Sequence, residues 1–451
     1  MRSFIRTRPF CEWDDFDDRA AFARSRLAEA EGAPLPPFLL LAEPGLSPRE
    51  HRASSEGWMR ERLAAAKALR AGLAFRFSPW DENRKKIKLG YLSNDFQDHA
   101  TALLLVETLE ACDKTRFELH AYSYGRDDGK AMRARLRVAF DRFNDIAPFS
   151  DEDAARAIHG DGIDILIDLK GFTQGTRTSI LALRPAPIQV NYLGYPGTLG
   201  PGLCDYMITD KFCTPAGSAG DYAESLATLP HSYQPHGRRD SIAPAPSRAA
   251  AGLPEEGFVF CCFNQAFKFT PAIFDVWCRL LDGVPGSVLW LLASNEAEGN
   301  LRNEAWKRGI DGSRLIFAGD LPHDQHLGRL QLADLVLDTS PYGAHTTASD
   351  ALWVGVPVVT RPGPTFPSRV AGSLLHAVGL PELAVEDQAD YFELALALST
   401  DAGKLGGLRH TLARNRSSAP LFDVKAYTLA LEALYLKMWA RHQGGLPPAA
   451  V

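Results

Sequence analysis

The sequence predicts an α/β chain of two doubly wound units, each a parallel sheet with helices on both faces, preceded by a helical N-terminal extension. Three observations carry this. Apolar runs of strand length alternate with amphipathic helical stretches from Lys86 onward, a segment rich in Pro, Ala, Gly and charge interrupts them at 241–257, and the alternation resumes at 258. The chain has 451 residues, enough for two or three domains. Four regions follow: a helical extension over 1–80, a first unit over 81–240, a linker over 241–257 and a second unit over 258–451.

In the extension, DDFDDRAAFARSRLAEAEG (14–32) has helical spacing, a Pro-rich stretch at 34–48 breaks it, and a second helix is predicted near 56–73. The first unit offers the strands IKLGYLS (87–93), FELHAYSYG (117–125), IDILIDLKGF (163–172), IQVNYLGY (188–195) and YMITD (206–210). Helices over 100–113 and 130–143 separate the first three. Strands spaced by helices of this length imply right-handed crossovers and a parallel sheet. The second unit repeats the texture with FVFCCFNQ (258–265), SVLWLLAS (287–294), RLIFAGD (314–320), LVLDTS (335–340) and VPVVTRPG (356–363). A helix over 270–284 follows its first strand, and helices over 368–379, 388–401 and 423–443 close the chain. Two such units leave a cleft, and ligands of these sheets bind beyond the carboxyl ends of the strands.

Composition excludes several classes. Forty-nine basic against 55 acidic side chains give a net charge of −6, so a phosphate-tracking nucleic-acid binder has no support and any anion site is local. Seven cysteines without a Cys-x-x-Cys pair argue against a disulfide scaffold and for a reducing cytoplasm. No apolar h-region follows the N-terminus and no run approaches the ~20 residues of a membrane helix, so neither a signal peptide nor a membrane span is expected. No 34-residue self-similarity marks a tetratricopeptide array.

Four stretches could carry chemistry. In LVLDTSPYGAHTTASDALWVGVPVVT (335–360), a strand ends, a Pro/Gly loop follows, and a helix starts at His345, Thr346 and Thr347. A helix start aimed at a cleft cradles anions such as a pyrophosphate, and Asp350 one turn on could accept hydrogen bonds from a ribose diol. An ordinary capped helix would read the same way. In VFCCFNQAFKFTP (259–271), Gln265 and Lys268 occupy a turn after a strand, where a lysine either neutralises a leaving phosphate or is simply solvated. In GYLSNDFQDHAT (90–101), Asp95, Asp98 and His99 lie in the loop before a helix; His99 is an acid–base candidate or a loop histidine. In NYLGYPGTLG (191–200), Gly194, Pro196 and Gly197 surround Tyr195 in a tight turn that lets backbone approach a ligand. His323 and His326 form an H-x-x-H pair without a third ligand, and Asp15 with Asp17 reads as helix-end charge, so no metal site is expected.

These motifs, together with LRPAPIQVNYLGYPGT, VPGSVLWLL and RLQLADLVLDT, resemble in order and content the catalytic region of the O-linked N-acetylglucosamine transferases and their SPINDLY-type relatives, from about Cys11 to the C-terminus. The resemblance implies a GT-B fold and inverting, metal-independent transfer of N-acetylglucosamine from UDP-N-acetylglucosamine to Ser or Thr of proteins. By that similarity Lys268 and Gln265 contact the diphosphate, Thr346 and Thr347 bind it at the helix start, and Asp350 holds the ribose. Leu321, His323, His326 and Arg329 match positions around uracil and ribose. His345, Phe267 and the loop Leu193, Gly194, Tyr195 and Pro196 would surround the sugar, and His99 matches the family's active-site histidine. Phe267 and His323 stand where the animal enzymes have tyrosine and lysine. Arg156 replaces an acidic residue, while His159 nearby is retained. The plant SPINDLY branch, a protein O-fucosyltransferase using GDP-fucose, has threonine and glutamate where this chain has His345 and Asp350; another UDP-hexose is a further alternative. Neither the repeat superhelix nor the insertion between catalytic halves is expected, which leaves room for a separate acceptor-recruiting partner.

Overall fold

In the first unit seven parallel strands form one sheet: β1 (Ile87–Ser93), β2 (Phe117–Ser123), β3 (Arg142–Asp145), β4 (Ile165–Asp168), β5 (Ile188–Asn191), β6 (Tyr206–Asp210) and β7 (Ser225–Leu229). Their order is β3-β2-β1-β4-β5-β6-β7. The computed structural model describes residues 8–28, 35–77, 84–237, 242–292 and 295–451. Strands β1 and β4 are buried along almost their whole length, so they read as apolar runs rather than alternating ones, as strands covered on both faces do. The chain leaves β1 in one direction through β2 and β3 and returns beyond it with β4 to β7. The β1/β4 boundary is therefore a topological switch point, where the loops diverge and open a crevice.

The second unit has the parallel order β10-β9-β8-β11-β12, built from β8 (Val259–Cys262), β9 (Val288–Leu292), β10 (Leu315–Ala318), β11 (Leu335–Leu337) and β12 (Val358–Val359). Its switch point lies between β8 and β11. The helix Pro271–Gly283 starts cleanly after β8 because the Thr270 hydroxyl accepts from the Ile273 N–H at 3.3 Å and Pro271 fills the first turn. It buries Phe274, Trp277 and Leu281 on the sheet.

Four expectations change. The helix Val424–Gln443 closes the first unit, not the second: Tyr435 meets Tyr91 at 3.3 Å, and the Tyr427 hydroxyl donates to the Tyr233 carbonyl. The N-terminal stretch is no separate extension, since 8–28 and 41–46 pack with the second unit and 35–40 and 47–77 with the first. Its second helix is Pro48–Leu73, started earlier than predicted by a Ser47/Glu50 capping box. Part of the linker is also docked: the Ala243 N–H donates to the Asp324 carbonyl at 3.1 Å. A Cβ on Gly328 would stand 2.5 Å from the Ala243 oxygen, so only glycine admits that approach. The predicted boundaries at 80/81 and 240/241 and the last two residues of the run 287–294 lie outside the described residues.

Candidate functional site

At the switch point of the second unit, the loops after β8 and β11 are tied together by buried polar groups. The Asn264 side chain donates to the Thr339 hydroxyl at 2.8 Å and accepts from the Thr347 hydroxyl at 2.6 Å, which fixes the start of the helix Thr346–Trp353 against the loop carrying Lys268. Asp338, 2% exposed, accepts from the Thr339 and Ala344 N–H groups at 2.7 and 2.6 Å and from the Thr360 hydroxyl at 2.6 Å. Burial pushes its carboxyl pKa up, against these hydrogen bonds and the Lys268 charge. Gly343 completes the turn; a Cβ there would lie 2.9 Å from the Asp338 Oδ2.

The half-buried Lys268 ammonium donates to the Gly343 carbonyl at 2.9 Å and lies 3.8 Å from the centre of the Tyr342 ring. Burial lowers its pKa to about 8, with Asp338 opposing. Among the described residues it has no carboxylate within ion-pair distance, so its charge is held by a dipole and an aromatic face. The helix Thr346–Trp353 begins beside it with no side-chain cap, leaving the first N–H groups open. His345, in the cap position, is held by a 3.2 Å hydrogen bond between its Nε2 and the Pro367 carbonyl. Burial and the Lys268 charge drive its pKa down to about 3, so the ring is neutral at physiological pH. Phe267 stands edge-on to Tyr342 at 5.9 Å.

One turn further on, buried Asp350 lies 3.4 Å from the His323 Nε2. The His326 Nδ1 accepts from the Arg329 guanidinium at 3.0 Å, and that guanidinium stacks on Phe263 at 4.9 Å. Phe263, Asn264, His326, Ala344 and Thr347 line a small crevice. Gln265 and Leu321 are exposed at the edge of the unit. Among the described residues no three His, Cys, Asp or Glu side chains converge as a metal site.

The first unit has its own group at the β1/β4 switch point. Lys170, after β4, donates to both oxygens of Asp95, after β1, at 3.0 and 2.9 Å; each residue is 5% exposed. His99 caps the helix Ala100–Ala111: its Nδ1 accepts from the Thr101 N–H at 3.2 Å, while the Asp95 Oδ2 is 3.6 Å away. Desolvation lowers the His99 pKa; Asp95 raises it and Lys170 lowers it further. A neutral ring whose Nδ1 accepts carries its proton on Nε2. His99, its side chain 43% exposed, therefore presents a donor. Asp168 accepts from the Gly171 N–H at 2.6 Å, and burial raises its pKa to about 6.

The loop Leu193 to Pro196 follows β5. Leu193 has φ 68°, and a Cβ on Gly194 would stand 1.8 Å from the Leu169 carbonyl oxygen, so the loop lies directly on the end of β4. Within the loop the Tyr195 ring is 3% exposed and packs edge-on against Phe172 at 5.2 Å. His159 is a correction. The helix Asp151–Gly160 runs back to the amino end of the sheet, where the following Asp164 N–H donates to the Lys88 carbonyl at the start of β1. There His159 stacks on Phe75 at 4.3 Å, at the opposite end of β1 from His99. Arg156 on that helix pairs with Glu152 at 2.6 Å, and Asp15 pairs with Arg19 at 2.6 Å, as helix-surface charge does.

The model of glycosyl transferase family 41 matches residues 68–243 and 237–431. The chain belongs to that family. This family 41 chain is 38% identical over 81% of its length to a probable UDP-N-acetylglucosamine–peptide N-acetylglucosaminyltransferase SEC of Arabidopsis thaliana, covering 38% of that protein. It is 31% identical to a UDP-N-acetylglucosamine–peptide N-acetylglucosaminyltransferase of Caenorhabditis elegans, with 83% of the chain and 42% of the relative aligned. It thus spans about two fifths of the length of the curated relatives it matches. Among solved structures, a mutant O-GlcNAc transferase of Thermobaculum terrenum superposes with a TM-score of 0.82 at 29% identity, over 97% of this chain and 83% of that one. The GT-B fold class follows from such neighbours.

Two buried charged groups that brace these loops carry no motif signal. Lys170 and Asp338 each sit just past an apolar run, in IDILIDLKGF and LVLDTS. A charged residue at a strand's carboxyl end is a signal that both share with Lys268.

Proposed function

We propose that this family 41 chain is an inverting protein glycosyltransferase that moves N-acetylglucosamine from UDP-N-acetylglucosamine to Ser or Thr hydroxyls, without a metal ion. The observation that carries this reading is the Lys268 ammonium, held on the Tyr342 face by the Gly343 carbonyl beside the uncapped start of the helix Thr346–Trp353. In this reading the acceptor hydroxyl oxygen forms a bond to the anomeric carbon as the bond to the β-phosphate oxygen breaks, and the hydroxyl proton passes to solvent water. Negative charge grows on UDP, and Lys268 with the open N–H groups of Thr346 and Thr347 stabilises it, as pre-aimed donors and cations do. Gln265 joins them at the diphosphate. Asp350 accepts from the ribose hydroxyls, oriented by His323, while His326, steadied by Arg329, and Leu321 flank the base. Phe267 and neutral His345 border the sugar. In the first unit, His99 serves as a hydrogen-bond donor through Nε2, and the Leu193 to Pro196 backbone accommodates sugar or acceptor.

The names of the relatives support the donor and the peptide acceptor. His345 and Asp350 favour the UDP-using branch over the GDP-fucose branch. Titration with UDP and GDP, followed by mass spectrometry of a protein acceptor with measurement of released UDP, tests the reading. UDP preference and a mass gain of one N-acetylhexosamine are expected; GDP preference, or UDP release that needs no acceptor, overturns it.

A further inference from the structure

The loop that carries Gln265 and Lys268 is also held from the far end of the sequence. Arg8, in the single turn Arg8–Phe10, is 8% exposed. Its guanidinium donates to the Glu43 carboxylate at 3.0 Å, to the Ala42 carbonyl at 2.7 Å and to the Phe267 carbonyl at 3.2 Å. Cys11 follows at φ 54°, in the left-handed region where a residue with a Cβ is strained. Its thiol lies 3.6 Å from the Ala266 carbonyl, placed to donate, and burial raises its pKa so that the proton stays. Two consecutive carbonyls of the Lys268 loop therefore accept from one turn. That turn is itself anchored on the second unit: the Asn300 side chain donates to the Phe10 carbonyl at 2.8 Å, and Trp13 packs edge-on against Phe274 at 5.3 Å. Residues 8–46 lie before the stretch that the family model matches.

An arginine is costly to bury, and its pairing with Glu43 needs only part of its five donors. The Nη1 group, which also donates to the Ala42 carbonyl, reaches the backbone one residue before Lys268. The strained Cys11 backbone persists because contacts on both sides hold it, and one of those contacts is the same loop. We infer that Arg8 and Cys11 form a clamp that positions the Gln265 to Lys268 loop for the diphosphate, acting through the carbonyls of Phe267 and Ala266. Arg8 is a positioning residue here, and the inference rests on Lys268 being the diphosphate ligand.

Replacing the buried pair by apolar side chains, Arg8→Met with Glu43→Leu, removes the clamp without stranding a charge. Measured on the full chain by UDP titration, it should weaken UDP binding about tenfold. Cooperative melting should be retained, and the acceptor KM should not move. The alkaline limb of kcat/KM should shift upward as Lys268 becomes better hydrated. In a Lys268→Ala background the same replacement should cost clearly less, since only Gln265 remains on the loop to be misplaced. Cys11→Ala, a second variant that uncovers no charge, should weaken UDP binding about threefold. Unchanged UDP affinity in both variants, or an equal loss with and without Lys268, overturns the clamp. If Lys268→Ala alone keeps full UDP affinity and transfer, the donor-site reading fails first and the clamp falls with it.

Discussion

Each unit of this molecule carries a lysine just beyond a strand end at its switch point, and the two are treated in opposite ways. Lys170 is locked onto Asp95 through two hydrogen bonds, both groups almost wholly out of water. Lys268 is offered a carbonyl and an aromatic ring, while the nearby carboxylate, Asp338, is saturated by backbone and hydroxyl donors. The first arrangement consumes a charge to hold two loops together. The second keeps a charge available for an arriving anion. What separates the two lysines is where the counter-charge is spent, and it is the second that the proposed mechanism uses.

Breaking the locked pair should have the largest effect. Lys170→Met leaves the Asp95 carboxylate buried and unpaired, and should cost about 3–5 kcal/mol of stability in urea denaturation; replacing both partners by apolar residues should restore most of it. A stable Lys170→Met variant that had lost donor affinity would reverse the comparison. Next, Lys268→Ala should lower transfer on the order of a hundredfold or more, about 3 kcal/mol of barrier, with little change in the denaturation midpoint.

The available charge also predicts a pH dependence. In the proposed mechanism Lys268 acts protonated, and its pKa is lowered to about 8 by burial, so under that proposal kcat/KM for the UDP-sugar should fall as pH rises through about 8. A bound diphosphate favours the charged form, so the limb in kcat should lie at higher pH. A pH–rate profile without that separation would place the titration elsewhere. The smallest effect is expected from His159→Ala at the amino end of the first sheet: transfer within about twofold of wild type, measured by steady-state kinetics.

Legibility in the sequence follows burial. Strands β1 and β6 are read to the residue because their apolar runs are buried, and the helix 346–353 is readable from its Thr-Thr start and Gly355 stop. The two strands that sequence reading misses, β3 and β7, are the edges of the seven-stranded sheet. RFND is half-exposed on one side of it and SLATL half-buried on the other, so neither shows an apolar run. The helix Ala402–Asn415 is also missed, since Gly403, Gly406 and Gly407 depress its local propensity and tertiary packing decides it. Of the site, Lys268, Thr346, Thr347, Asp350 and His99 are legible as residues that follow strands.

The sequence by itself determined the class of the fold, two parallel α/β units, because alternation of apolar runs with amphipathic helices is a local pattern that only such sheets satisfy. It also marked which loops could bear chemistry, since strand ends and helix starts are signalled by the residues next to them. Only the tertiary structure decided which charges are free. Whether Lys170 is spent on Asp95, whether His99 presents a donor, and whether His159 lies at the carboxyl or amino end of its sheet depend on contacts between segments far apart in the chain. The last helix joined the first unit, and Arg8 reached the Lys268 loop, for the same reason. Local pattern fixes what each segment becomes, while the partner of a buried polar group is set by whichever distant segment satisfies it once water is gone.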